Sequence, residues 1–344
     1  MGATGTVKLT ELTTCGGCAA KWGASLLGDL VAAAQVPGEG DGDGVAGLLV
    51  GLAPSDDAAV VQLGDDVALV STTDFFPPLV DDPGDYGAIA AANACSDVFA
   101  MGGDVVLALN VAAFPETLPT EVIRAIFAAA AEVVHEAGGV VAGGHTIRSP
   151  EPIFGLAVQG VVRPGAQLTK GGARPGDVLV LSKPLGTGLA LASGDDAVMA
   201  AAVRSMRTLN RDAAAALRVL QADGGGVHAV TDVTGFGLLG HGWEIADRSG
   251  AHLVFEAARL PLLDGVAAIA AAGVRTGGDP RNRDYVVGRV TLTADDAAAA
   301  IAFDPQTSGG LLAAVDPSIV DDLAPANFVP VGHVTDDPPG VTLA

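Results

Sequence analysis

Residues 71–103, STTDFFPPLVDDPGDYGAIAAANACSDVFAMGG, decide how this chain is read. Asp74 closes an apolar strand-like run, and Asn93 and Asp97 interrupt an otherwise apolar helix-like one. Positions four apart lie one above the other on a helix, so Asn93 and Asp97 present their polar groups on a single face. A cation or a partner side chain is expected to meet them.

Upstream, Ala58–Leu63 and Val67–Thr72 are apolar runs separated by Gly64-Asp65-Asp66, the pattern of a β-hairpin. Asp57 begins the first run and Asp74 follows the second, so both carboxylates are expected near one rim. Downstream, a helix over Asp85–Met101 leads to a strand at Val105–Phe114. A helix over Glu121–Ala137 is stopped by Gly138-Gly139, and strands follow at Val140–Gly144 and Ile153–Val162. This alternation predicts an α+β domain with α/β-type layers that ends near residue 165. Pro175-Gly176-Asp177 opens a second region. Its expected elements are a strand at Val178–Ser182, one Ala-rich helix over Val198–Gln221, a strand at His228–Thr231 closed by Asp232, and a helix from Gly237 to about Arg248.

A length of 344 residues makes two domains the default. We place a mobile N-terminal segment at 1–23, a first domain at 24–165 and a second at 166–344. Apolar residues make up 49% and aromatics 4%, which predicts an aliphatic globular core. The net charge of −22 repels nucleic acid and anionic membrane surfaces. A phosphorylated ligand would therefore need cations, backbone N–H groups or a few well-placed bases, and the lysines are only Lys8, Lys21, Lys170 and Lys183. The cysteines, Cys15, Cys18 and Cys95, are too few for a disulfide framework, and no apolar run reaches the ~18 residues of a membrane span. A cytoplasmic protein is expected.

Three groups of residues could carry chemistry. In CGGCAAK, a Cys18 thiol beside the Lys21 ammonium would be partly ionised and suited to nucleophilic attack; a cysteine without a role is the alternative. Asp56, Asp57, Asp74, Asp97 and Asp232 sit at strand ends or inside an apolar helix, where carboxylates are costly unless paired or metal-bound. Such hard oxygen donors suit Mg²⁺ carried with substrate phosphates, whereas capping and turn chemistry would explain isolated aspartates. Glycine-containing turns at Gly143–Thr146, Asp232–Gly237 and Asp304–Gly310 could offer N–H groups to phosphate oxygens or be structural. His145 and His241 are read as hydrogen-bonding core or turn residues.

CAAK at 18–21, SDDAAV at 55–60, STTDFF at 71–76, NACSDVFAMGG at 93–103, AGGHTI at 142–147, SKPLGTG at 182–188, TDVTGFGLLGH at 231–241 and DPQTSGGLL at 304–312 together resemble the selenophosphate synthetase family, within the larger aminoimidazole ribonucleotide synthetase-like group. The resemblance implies ATP-dependent conversion of selenide to selenophosphate, with AMP and orthophosphate as the other products. It implies Cys18 and Lys21 as catalytic residues and Asp57, Asp97 and Asp232 as Mg²⁺ ligands. ATP contacts are implied at Lys21, Pro54, Ser55, Asp56, Asp74, Asp97, Gly144, His145 and Thr146. It also implies a homodimer whose N-terminal sheets join in an intersubunit barrel, with a C-terminal α+β domain. Ala20 stands where the family commonly has a second cysteine, and Cys15 lies upstream instead. Thiamine-monophosphate kinase shares the aspartate-rich site but does not need Cys18 with Lys21, and a non-catalytic maturation scaffold is the alternative from a different class.

Overall fold

The computed structural model describes residues 7–14, 16–17, 30–31, 33–34, 47–223 and 225–344. A helix, which the sequence pattern predicts over 24–36, lies mostly outside them.

The first sheet is built from β1 (Leu48–Val50), β2 (Ala59–Gln62), β3 (Ala68–Phe76), β4 (Asp104–Phe114), β5 (Val140–Arg148) and β6 (Ile153–Val162), in spatial order β1-β2-β3-β6-β4-β5. Among the described strands of this sheet only the β4–β5 pair is parallel. Two helices cover one face, α1 (Pro83–Ala100) and α2 (Thr120–Glu136). The expected hairpin is present, with Ala59 opposite Ser71. Two local expectations are corrected. β3 continues to Phe76, so Asp74 lies inside the strand. Gly143–Thr146 forms part of β5 rather than a turn. Gly144 is required there because a Cβ would approach the Asn110 carbonyl oxygen of β4 to 2.3 Å.

α1 starts where the Asp82 carboxylate accepts from the Asp85 N–H at 2.8 Å, with Pro83 in the first turn. Its small side chains are buried nearly all round, as expected of a helix wedged inside the molecule. Gly87 lets it touch α2, since a Cβ there would stand 2.1 Å from the Ile126 carbonyl oxygen. The few aromatic residues concentrate beneath these helices: Phe76, Tyr86, Phe114, Phe127 and Phe154 form successive ring contacts, so this part of the core is less aliphatic than composition suggests.

The second region contributes β7 (Val178–Leu181), α3 (Thr187–Ser193), α4 (Asp196–Arg207), α5 (Arg211–Ala222), β8 (Val227–Asp232), α6 (Gly237–Ser249) and β9 (His252–Phe255). It continues with α7 (Val266–Ala271), α8 (Asp279–Tyr285), β10 (Val290–Leu292), α9 (Asp296–Phe303), β11 (Leu311–Val315), α10 (Val320–Leu323), β12 (Val329–Thr335) and β13 (Gly340–Leu343). Its mixed sheet runs β10-β13-β9-β12-β7-β11-β8. The single helix expected over Val198–Gln221 is two, α4 and α5. The break is fixed by tertiary bonds: Lys183 Nζ donates to the Thr208 carbonyl at 2.5 Å, and Asn210 Nδ2 donates to Ser96 Oγ at 2.9 Å and the Gly309 carbonyl at 2.8 Å. Among the described residues, neither sheet closes into a barrel. Among the described residues, no helix is long and apolar enough to cross a membrane.

Candidate active site

The polar face of α1 meets β3. Thr72 Oγ1 donates to Asp97 Oδ2 at 2.5 Å, and Asn93 Nδ2 donates to Asp74 Oδ2 at 2.5 Å. Four residues of helix rise ~6 Å and two of strand ~6.6 Å, so the i,i+4 pair on α1 lies in register with the i,i+2 pair on β3. Asn93 also reaches the second region, its Oδ1 accepting from the Ser308 N–H at 2.8 Å. One residue before Asp97, Ser96 Oγ donates to Asp232 Oδ2 at the end of β8, at 2.6 Å.

Asp57 joins the same junction from the loop before β2. Its side chain is 4% exposed, and Oδ1 accepts from Lys170 Nζ at 2.8 Å and Thr231 Oγ1 at 3.0 Å. Its Oδ2 is buried and takes no hydrogen bond. Asp56 is held by backbone, accepting from the Asp57 N–H at 2.9 Å and the Lys170 N–H at 3.0 Å. Burial, aided by the neighbouring Asp57 carboxylate, pushes the Asp56 carboxyl up to about 6. Asp57, Asp97, Asp232 and Asp74 are thus connected through Thr231, Ser96, Thr72 and Asn93 across both sheets. Pro54 and Ser55 are exposed on the same loop, where the Ser55 carbonyl accepts from Arg248.

Gly144, His145 and Thr146 are not brought to this cluster. Gly144 shares a cross-sheet row with Asn110, Leu156 and Asp74. Three strand spacings of ~4.8 Å nevertheless leave it roughly 14 Å from Asp74 within one chain. Cys15, Cys18 and Lys21 lie outside the described residues. The glycines just before Cys18 are placed: the Gly17 N–H donates to the Pro77 carbonyl at 3.0 Å, and a Cβ at Gly17 would meet Thr307 Oγ1 at 2.9 Å. Further upstream, Leu9 is buried and Thr10 hydrogen-bonds to Asp81. Cys95 is buried, and burial together with the Asp97 charge pushes its thiol up to about 12, which suits a packed rather than a reactive side chain.

Oxygen donors on the rim of two sheets fit a divalent cation, and the orphaned Asp57 Oδ2 is the atom that most needs one. No three His, Cys, Asp or Glu side chains among the described residues are already gathered around a metal position. Lys170 is paired with Asp57 Oδ1, and burial, which would lower its pKa, is outweighed by the Asp57 and Glu244 carboxylates, which hold it well above the ordinary lysine value. Two cavities, of about 530 and 390 Å³, lie elsewhere and are lined by none of the predicted site residues.

Sequence reasoning missed Lys170, Glu244, Lys183 and Asn210. The scarcity of lysines was the available signal for two of them. Lys183 is buried, donating to the Thr208 and Ser308 carbonyls, and burial lowers it to about 7 against the opposing pull of Asp232. His241 is the hydrogen-bonded core residue expected, 4% exposed and bonded to Thr234 and Glu244.

The two halves of the molecule match family models in order. Residues 55–162 match AIR synthase related protein, N-terminal domain, and residues 174–342 match AIR synthase related protein, C-terminal domain. The selenide, water dikinase of Burkholderia ambifaria is 45% identical over 98% of this chain and 97% of its own. That of Caldanaerobacter subterraneus subsp. tengcongensis is 41% identical over 92% and 90%. The chain belongs to the selenide, water dikinases of the AIR synthase related family. Solved structures share the fold at lower identity. Thiamine-monophosphate kinase from Stenotrophomonas maltophilia has a TM-score of 0.63 at 22% identity, covering 92% of this chain and 94% of its own. Hydrogenase maturation protein HypE in complex with ATP has 0.59 at 17%, covering 83% and 84%.

Proposed function

We propose that this chain converts ATP, selenide and water to selenophosphate, AMP and orthophosphate, in the cytoplasm and as a homodimer. The observation that carries the reading is identity of 39–46% to eight selenide, water dikinases over at least 87% of their length. Two phosphoanhydride bonds of ATP break, one phosphoryl group passing to selenium and the other to water.

Asp57, Asp97 and Asp232 would hold Mg²⁺, which when bound supplies neutralising charge to the triphosphate beside a chain of net charge −22. Asp57 would present Oδ2, its Oδ1 being engaged by Lys170 and Thr231. Thr72 and Ser96 orient the Asp97 and Asp232 carboxylates, and Asn93 fixes Asp74 while tying it to the second region. Pro54, Ser55, Asp56 and Asp74 would contact ATP. Gly144, His145 and Thr146 would do so from β5, and Lys21 from the N-terminal segment. Cys18 would act as a catalytic thiolate in the selenide-dependent step, with Lys21 stabilising the negative charge there. The anchoring of Gly17 on Pro77 and against Thr307 supports an approach of this segment to the aspartates. Dimerisation is supported by the sheet face turned away from α1, where Phe75 is 50% and Val106 48% exposed.

Phosphorus NMR of a reaction containing selenide and ATP tests the function: a selenophosphate signal with AMP is expected, and ADP as the only nucleotide product would overturn it in favour of a kinase. Cys18→Ser is expected to retain Mg-ATP binding by calorimetry and lose selenide-dependent turnover.

A further inference from the structure

The two oxygens of Asp57 are treated differently by the protein. Oδ1 receives both an ammonium and a hydroxyl, whereas Oδ2 is buried with no hydrogen bond. An ionised carboxylate oxygen in that state is costly unless something outside the chain meets it. The asymmetry depends on Lys170, which is held at its backbone and at its ammonium. Its backbone N–H donates to Asp56 Oδ2 at 3.0 Å, and its Nζ is gripped from the other side by Glu244 Oε2 at 2.9 Å.

Glu244 is itself anchored. His241 Nδ1 lies 3.1 Å from Glu244 Oε2, and His241 Nε2 lies 3.2 Å from Thr234 Oγ1, two residues beyond Asp232. With the Nδ1 proton facing the carboxylate, Nε2 accepts from the threonine. The chain Asp57–Lys170–Glu244–His241–Thr234 therefore starts at one aspartate and ends beside another. It spans the junction and sets the position of Asp57 relative to the end of β8.

We propose that Lys170 is a positioning residue of the metal–nucleotide site: its ammonium, braced by Glu244, pins Asp57 Oδ1 so that Oδ2 faces the divalent cation carried with ATP. The proposal rests on the reading of Asp57 as a metal ligand. Outer partners that orient a ligand typically change metal affinity by about 10–100-fold when removed.

The test is Mn²⁺ binding, read by electron paramagnetic resonance in the presence of a non-hydrolysable ATP analogue. Lys170→Met is expected to raise the Mn²⁺ Kd at least about tenfold, and Lys170→Arg to recover part of the loss. Because Lys170→Met leaves Glu244 buried without its cation, the double variant Lys170→Met/Glu244→Gln, which removes both charges, is measured beside it and is expected to stay weak. Unchanged or tighter Mn²⁺ binding by either folded variant overturns the proposal, tighter binding meaning that Lys170 merely competes for the site. Asp57→Asn separates the two readings. If it leaves Mn²⁺ affinity intact, the metal-ligand assignment fails; if it loses Mn²⁺ while the Lys170 variants keep it, only the positioning role fails.

Discussion

The two sheets of this molecule are finished in different ways. In the second sheet β11 is buried along its whole length, with β7 on one side and β8 on the other. In the first, β5 is exposed at nearly every position, and Phe75, Val106, Val140 and Ile147 show more than a third of their surface. An apolar face left open beside an unpaired edge is a liability that monomers usually suppress. The second sheet is thus a self-sufficient core that carries Asp232 on its tip. The first brings Asp57 and Asp74 to the same junction while leaving its other face open, the face on which we propose that a second copy of the chain docks.

The largest effect is expected where the sheets meet. Asp97 sits on the helix wedged between them, and Asp97→Asn removes a proposed metal ligand and its charge while keeping the shape. Steady-state kinetics should show a loss of at least about a thousandfold in ATP turnover, or about 4 kcal/mol of barrier. Turnover within tenfold of wild type would mean that the junction is only a packing contact. Next comes the contrast itself. Leu312 is fully buried in β11, so Leu312→Ala should cost about 2–5 kcal/mol in urea denaturation. Phe75 lies on the open face, and Phe75→Ala should change the stability of the separated protomer by no more than about 0.5 kcal/mol. Sedimentation velocity should instead show dimer lost at low protein concentration. A large stability loss from Phe75→Ala with no change in association would erase the distinction between the sheets.

What the sequence showed in advance was local. Asn93 and Asp97 stood out because a four-residue spacing on an apolar helix is visible in one dimension, and the β2–β3 hairpin because its turn is short. Lys170 and Glu244 could not be paired from sequence, since 74 positions separate them and nothing local marks either as buried. Asn210 was hidden by its Ala-rich surroundings: the helix breaks there because Ser96 and Gly309 capture its amide, a tertiary cause that overrides propensity. At Gly143-Gly144 the dipeptide suggested a turn, but at Gly144 glycine is needed because β4 comes too close for a side chain. The same limit applies to the packed rings around Phe154, which composition alone would have placed in an aliphatic core.

The smallest effect concerns how each region handles a buried carboxyl. On the second region's side Asp304 is fully buried, accepting from the Leu189 N–H at 3.1 Å and Gln306 Nε2 at 3.0 Å, and burial pushes it up to about 7 despite these bonds. On the first region's side Asp56 is pushed up to about 6. For each, the folded protein holds a proton that the unfolded chain has already lost above its carboxylate pKa of about 4. The unfolded state therefore binds fewer protons, and stability falls as pH rises through the window. From pH 6 to 7 the second half of the Asp56 titration is opposed by the onset of proton loss from the lowered Lys183, so the net decline there belongs mainly to Asp304. Urea denaturation at pH 5, 6 and 7 should show a stability decline that persists to 7 in the wild type, at no more than about 1.4 kcal/mol per pH unit from this group. In Asp304→Asn, whose amide mimics the protonated acid, the decline should end near pH 6. An unchanged slope in that variant would mean that Asp304 is ionised in the folded protein, its hydrogen bonds outweighing its burial.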